Sequence, residues 1–142
     1  MNQKEQKYTL TVTEKQLMLI ANCIEDISRF LAGQTELWHT CACLENSMEI
    51  RNKLKEIKSL VTPNLPENCS YSWCGGYCEN KKQAEYIAKT YTIYREILHK
   101  TTVLNKSDNE EYSVYNSPTL TSELGGELPK IEKLVKKLKL LC

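Results

Sequence analysis

Histidine is scarce in this sequence. The two present, His39 and His99, both fall in segments with helical spacing. That leaves little room for imidazole acid–base chemistry, and no motif of the usual catalytic families is found. A Cys–His pair is geometrically open, because Cys43 follows His39 by four residues. The sequence identifies neither an oxyanion donor nor an orienting group for it. The carboxylates are scattered among lysines, as on solvated helical surfaces. The expectation is a protein without enzymatic activity.

Charge of one sign is lacking too. Lysine and arginine total 19 and aspartate and glutamate 18, a net charge of +1 over 142 residues. This balance argues against the broad phosphate footprint of a duplex-binding protein, so neither DNA nor RNA is an expected partner. A smaller anion needs only a local cluster and remains open. No run approaches the roughly 20 apolar residues of a membrane span, and "MNQKEQKYTL" has no apolar stretch like that of a signal peptide. The expected location is the cytoplasm, with no membrane partner.

The chain has seven cysteines but no CxxC. The odd number favours reduced thiols over a disulfide framework. Cys69, Cys74 and Cys78, with Cys41, Cys43 or His39 as a fourth ligand, are the one grouping with metal-binding chemistry. Structural zinc sites more often grip the ion with paired CxxC knuckles. No metal or cofactor is therefore expected, and a small zinc-stabilised nucleic-acid binder stands as an alternative.

The residues that are present give a patterned chain. "YTLTVT" (8–13) alternates and is β-branched, which predicts a short strand. Thr13 and Gln16 form a candidate capping box for a helix whose stripe is Leu17, Ile20, Ile24, Ile27 and Leu31, ending at Gly33. A second helix is expected from Thr35 or Glu36, closed by Pro63 and Pro66, and paired with the first as an antiparallel hairpin. After the cysteine-rich loop 63–80, Ala84, Ile87, Tyr91, Tyr94 and Leu98 predict a third helix. "YSVYNSPTLTSEL" (112–124) reads as one or two short strands broken at Pro118. The whole chain, 1–142, is expected to be one α+β domain: long helices on a small, mostly antiparallel sheet. A basic amphipathic tail occupies 129–142, and its apolar side is expected to pack on the domain or on a partner subunit.

Two arginines are the most informative charges. Arg29 points away from the first stripe, where Glu25 and Asp26 are ordinary partners at i,i+4 and i,i+3. Tyr91, Arg95 and His99 form an i,i+4 row at the margin of the third stripe. Such a row is suited to stacking on a base and pairing with phosphate. It is equally suited to lying over the edge of a core, its stems covering apolar surface.

Three stretches in order resemble one family. "YTLTVTEKQLMLIANCIEDISRFLAGQTEL" carries an R-x-x-x-G-Q signature after an "LTLTEEEL"-like start. "AEYIAKTYTIYREILHK" is similar to A-x-x-x-Y-x-x-Y-x-x-I-R-H-K. "YSVYNSPTLTSELGGELPKIEKL" is similar to V-x-x-x-x-P-x-x-T-S followed by LPKIE. Together they resemble the first family of anti-Thoeris sponges, phage proteins that sequester cyclic nucleotide immune signals. The match runs from about Tyr8 to Leu134.

The resemblance implies a non-enzymatic phage counter-defence protein in the cytoplasm of the infected bacterial host, assembled as a homodimer or homohexamer. The implied ligands are glycocyclic ADP-ribose isomers made by TIR enzymes and, as in some members, cyclic di- or trinucleotides of CBASS signalling. The expected ligand residues are Arg29, Gln34, Tyr91, His99, Thr121 and Ser122, which fall on the family's motifs, together with Phe30 and Arg95. The sequence departs from the pattern at Leu98, where an arginine is expected, and at "LNKSDNEE" in place of a W-D-R-N-P-like loop. Arg95, one turn earlier, is the expected replacement for the missing guanidinium. The rival reading from the residues alone is a protein-binding module that inhibits a host defence protein directly.

Overall fold

A computed structural model of the chain describes residues 3–106 and 113–135. It contains five α-helices, α1 (Glu14–Ala32), α2 (Trp38–Cys41), α3 (Ser47–Glu56), α4 (Lys58–Val61) and α5 (Lys81–Leu104), and one 3-10 turn, Val114–Asn116. The expected α+β class is overturned: among the described residues there is no strand and no sheet.

The reason lies in the absence of partners. Residues 8–13 form no regular element despite their β-branched alternation, and no second segment among the described residues pairs with them. A lone strand leaves its backbone groups to water, and no sheet forms from it. Tyr8 is accordingly 90% exposed. In the second expected strand region, the carbonyls of Val114, Tyr115 and Ser117 are taken by side chains of α5 rather than by a neighbouring strand. The call on Tyr112 lies outside the described residues, as do residues 107–111 of the polar turn and 136–142 of the basic tail.

α1 begins and ends as its sequence requires. Gln16 N–H donates to Thr13 Oγ1 at 3.2 Å and Thr13 N–H to Gln16 Oε1 at 2.9 Å, the reciprocal capping box. Gly33 closes the helix with φ +106°, its N–H donating to Phe30 O at 3.0 Å, and Gln34 N–H donates to Arg29 O at 2.8 Å. This stop orients the chain from Gln34 onward.

The main packing is α1 against α5, not an α1 hairpin with the following helix. Ser28 Oγ donates to Ile87 O at 3.3 Å near one end, and Asn105 Nδ2 to Glu14 Oε1 at 3.1 Å at the other, so the two run antiparallel. The expected second helix is broken into α2, α3 and α4, with Leu37 in a left-handed conformation (φ 49°) before α2.

Burial on α1 also differs from expectation. The face against α5 is Ala21, Glu25, Ser28 and Ala32. Small residues at 21, 28 and 32 take the deepest positions, with Ser28 bonded to Ile87 O of α5. Leu17, Ile20, Ile24 and Leu31 of the expected stripe are partly buried against the core, and only Ile27 is exposed, at 49%. On α5 the expected stripe does form the core: Ala84, Ile87, Tyr94 and Leu98 are buried, with Tyr91 partly so.

Candidate anion-binding cleft

The polar centre of the α1–α5 pair is Glu25, a carboxylate only 5% exposed. A buried carboxylate needs hydrogen-bond partners, and Glu25 has two. Arg29 Nε donates to its Oε1 at 2.9 Å, and His39 Nε2 lies 2.8 Å from its Oε2. Its neighbour Asp26, also buried, accepts the N–H groups of His39 (3.1 Å) and Thr40 (2.6 Å). Asp26 thereby docks the first turn of α2 on α1 and delivers the His39 ring to Glu25.

Arg29 is held from two sides, because its Nη1 also donates to Gln34 Oε1 at 2.8 Å. Gln34 is placed there by the left-handed turn at Gly33. Nη2 has no hydrogen-bond partner among the described residues, and the side chain is 45% exposed. Partial burial, the largest single effect, opposes the Arg29 charge, but the Glu25 hydrogen bond together with the charges of Tyr94, Glu25 and Tyr115 outweighs it and raises its pKa.

Aromatic rings stand on the α5 side of this polar centre, where Tyr94 lies in the field of Arg29 and Glu25. Trp73 stacks at a tilt on Tyr91, with ring centroids 4.9 Å apart, and Tyr91 meets Tyr94 edge-on at 5.6 Å. Burial pushes the Tyr94 phenol up to about 12, with Arg29 pulling the other way. Tyr115 completes the group. Its phenol is raised by burial and by the Glu25 charge, while Arg29 and Arg95 lower it, so it lies within the field of both arginines.

The eight residues expected at the ligand site separate into three groups. Arg29, Gln34 and Tyr91 border the cleft. Arg95 and His99 stand beside it but hold backbone: Arg95 Nη2 donates to Val114 O (2.9 Å) and Ser117 O (3.0 Å), and His99 Nδ1 to Tyr115 O (2.7 Å). Phe30, Thr121 and Ser122 lie elsewhere. Phe30 lines a separate open groove of about 440 Å3 with Leu60, Lys82, Gln83 and Tyr86. Ser122 Oγ accepts the Gly125 N–H at 3.1 Å, in a segment packed on the Thr92 face of α5. No hydrogen bond joins Thr121 or Ser122 to Arg29 among the described residues.

Glu25, His39, Trp73 and Tyr115 were not among the expected site residues. His39 was read as a possible partner of Cys43, but Cys43 Sγ donates to Thr40 O at 3.1 Å and His39 faces Glu25. The buried acidic pair Glu25–Asp26, one turn before the R-x-x-x-G-Q signature, was the available signal for a polar centre at this level of α1. Nothing in the sequence marked Trp73, because the loop that carries it has no periodicity.

Among the described residues, no three His, Cys, Asp or Glu side chains are grouped as a metal ion would require. No helix among them is long and apolar enough to cross a membrane. Neither family models, curated proteins nor solved structures give a match to this chain.

Proposed function

We propose that this protein captures a small cyclic nucleotide signal at the polar centre around Arg29, as the anti-Thoeris sponges it resembles do, and does so without turnover. The observation that carries this reading is the state of Arg29. Its guanidinium is pre-oriented by Glu25 and Gln34 yet keeps one nitrogen open, beside the row of Trp73, Tyr91 and Tyr94. An arginine fixed on two sides and open on the third suits a phosphate, and flanking aromatic faces suit a base. The expected ligands are glycocyclic ADP-ribose isomers, with cyclic di- and trinucleotides as further candidates.

Sequestration demands tight binding and slow release, and nanomolar affinity corresponds to about 12 kcal/mol. In one protomer the Arg29 side chain is half-exposed, so enclosure by a second copy would strengthen the site. Self-association is supported by α1 itself. Leu19, Cys23 and Ile27 are exposed at i,i+4,i+8 on the helix face away from α5, with Phe30 alongside. We therefore place the active form as a dimer or an assembly of dimers, working in the cytoplasm of an infected bacterial host.

The test is recovery of ligand. Purified protein is incubated with glycocyclic ADP-ribose, freed of unbound nucleotide, and heat-denatured, and the supernatant is analysed by mass spectrometry. Intact nucleotide in stoichiometric amount is the expected result. A hydrolysed or linearised product would make the protein an enzyme, and no recovered nucleotide would remove the sponge reading for this ligand.

A further inference from the structure

Resting on the cleft as a nucleotide site, we infer that Arg95 and His99 are positioning residues, and that the ligand contact they serve is the ring of Tyr115. The turn Val114–Asn116 is a single 3-10 turn, too short to hold itself in place. Locally it has only the Ser113 cap: Tyr115 N–H donates to Ser113 Oγ at 3.2 Å and Asn116 N–H to Ser113 O at 3.0 Å. Among the described residues, the other hydrogen bonds that fix it come from α5. Arg95 Nη2 clamps the carbonyls on either side of Tyr115, and His99 Nδ1 takes the Tyr115 carbonyl itself. Arg95 also lies over the Tyr115 ring, 5.1 Å from its centroid.

The same geometry keeps Arg95 from the ligand. One Nη carries both carbonyl bonds, and the other, Nη1, is shut off from solvent with no hydrogen-bond partner. No Nη group is left for a phosphate unless the turn moves away. Tyr115 shows the opposite pattern. Its ring packs against the Ala21–Tyr94–Leu98 cluster, so its position is fixed, but the residue is only partly buried. Its phenol oxygen makes no hydrogen bond among the described residues and is not sealed from solvent. It lies within the fields of Arg29 and Arg95, on the margin of the cleft. A fixed ring with a free hydroxyl beside an open guanidinium is suited to meet a nucleobase or ribose while Arg29 takes the phosphate.

Two measurements test this. The first needs no ligand: amide hydrogen exchange at Tyr115 and Asn116 in the free protein. Arg95→Met, which keeps the stem and removes the donors, should speed exchange at least tenfold there while leaving the α1 amides unchanged. Unchanged exchange at Tyr115 and Asn116 overturns the positioning role whatever the ligand does. The second is calorimetric titration with glycocyclic ADP-ribose. Tyr115→Ala and Arg95→Met should each weaken binding about ten- to a hundredfold, and the double variant should be no worse than the weaker single one, since both changes remove the same ring. Additive losses, or a loss in Arg95→Met with none in Tyr115→Ala, would make Arg95 itself the contact and overturn the inference. If the unaltered protein fails to bind while the exchange result holds, the cleft reading falls, and the ligand role of Tyr115 falls with it.

Discussion

Glu25 and Arg29 are one turn apart on α1, but their environments are unequal: the carboxylate is buried and the guanidinium half-exposed. An exposed i,i+4 pair contributes only a few tenths of a kcal/mol. Here the carboxylate also holds His39, so its removal leaves two donors without their acceptor. Glu25→Gln should lower the free energy of unfolding by about 2 kcal/mol, read from urea denaturation at pH 7. A change below ~0.5 kcal/mol would mean that water replaces the carboxylate at no cost, and that Glu25 organises nothing.

Arg29→Ala should act mainly on capture. It keeps the fold but takes one of two partners from the buried Glu25 carboxylate, so stability should fall by about 1 kcal/mol. Capture of glycocyclic ADP-ribose should fall at least about tenfold. Arg29→Lys should restore little of it, because an ammonium cannot satisfy Glu25 and Gln34 and still present an open planar edge. Full capture by either variant would return Arg29 to the role of a surface charge.

Gly33 offers a test of the turn that places Gln34. Its φ is +106°, and a Cβ there would stand 2.6 Å from Thr62 Cγ2, a side chain that is itself fully buried. Both the left-handed conformation and the contact oppose any side chain. Gly33→Ala should cost about 1–3 kcal/mol and weaken capture as Gln34 is displaced from Arg29. A variant as stable as the parent would show that the α1–α4 junction relaxes freely.

The legible parts of this fold are those fixed by local chemistry. The Thr13–Gln16 box, the Gly33 stop and the α5 stripe each depend on residues within a turn or two of each other, and each is found where the spacing puts it. The sheet was not legible, because β-branched alternation specifies extended backbone and says nothing about a partner. On α1 the aliphatic spacing puts Leu17, Ile20, Ile24 and Leu31 against the core, but it does not reveal that the deepest positions go to the small residues Ala21, Ser28 and Ala32. At the cleft, Arg29, Gln34 and Tyr91 could be anticipated. Arg95 and His99 were expected to face a ligand, and what engages them instead is a turn separated from them by a segment without periodicity.

The aliphatic face that α5 does not cover carries its own prediction. Leu19 is 64% exposed and Ile27 49%, with Cys23 between them on one face of a 19-residue helix. If copies of the chain associate through it, Ile27→Glu should place an unpaired charge in the contact and shift the protein to monomer at micromolar concentration. Sedimentation velocity reads this directly. The helix content by circular dichroism should be unchanged, since Ile27 contributes little to the protomer's own core. A parent protein that sediments as a monomer at all concentrations would remove this face as an interface.

Alkaline pH probes the packing of α1 on α5. The Tyr94 phenol is buried, and its pKa is pushed up to about 12 from the usual 10. Ionisation is therefore harder in the folded state than in the unfolded chain. The stabilisation is fully present below pH 10 and is lost as pH rises from 10 to about 12, amounting to roughly 2–3 kcal/mol. Unfolding free energy measured in urea between pH 8 and 11 should decline over that window, and absorbance at 295 nm should show one tyrosine titrating late. Tyr94→Phe keeps the ring in contact with Tyr91 and removes the titrating group. Its stability should fall less steeply with pH than the parent's over the same range, and identical slopes would mean that Tyr94 is reached by water and takes no part in closing the cleft.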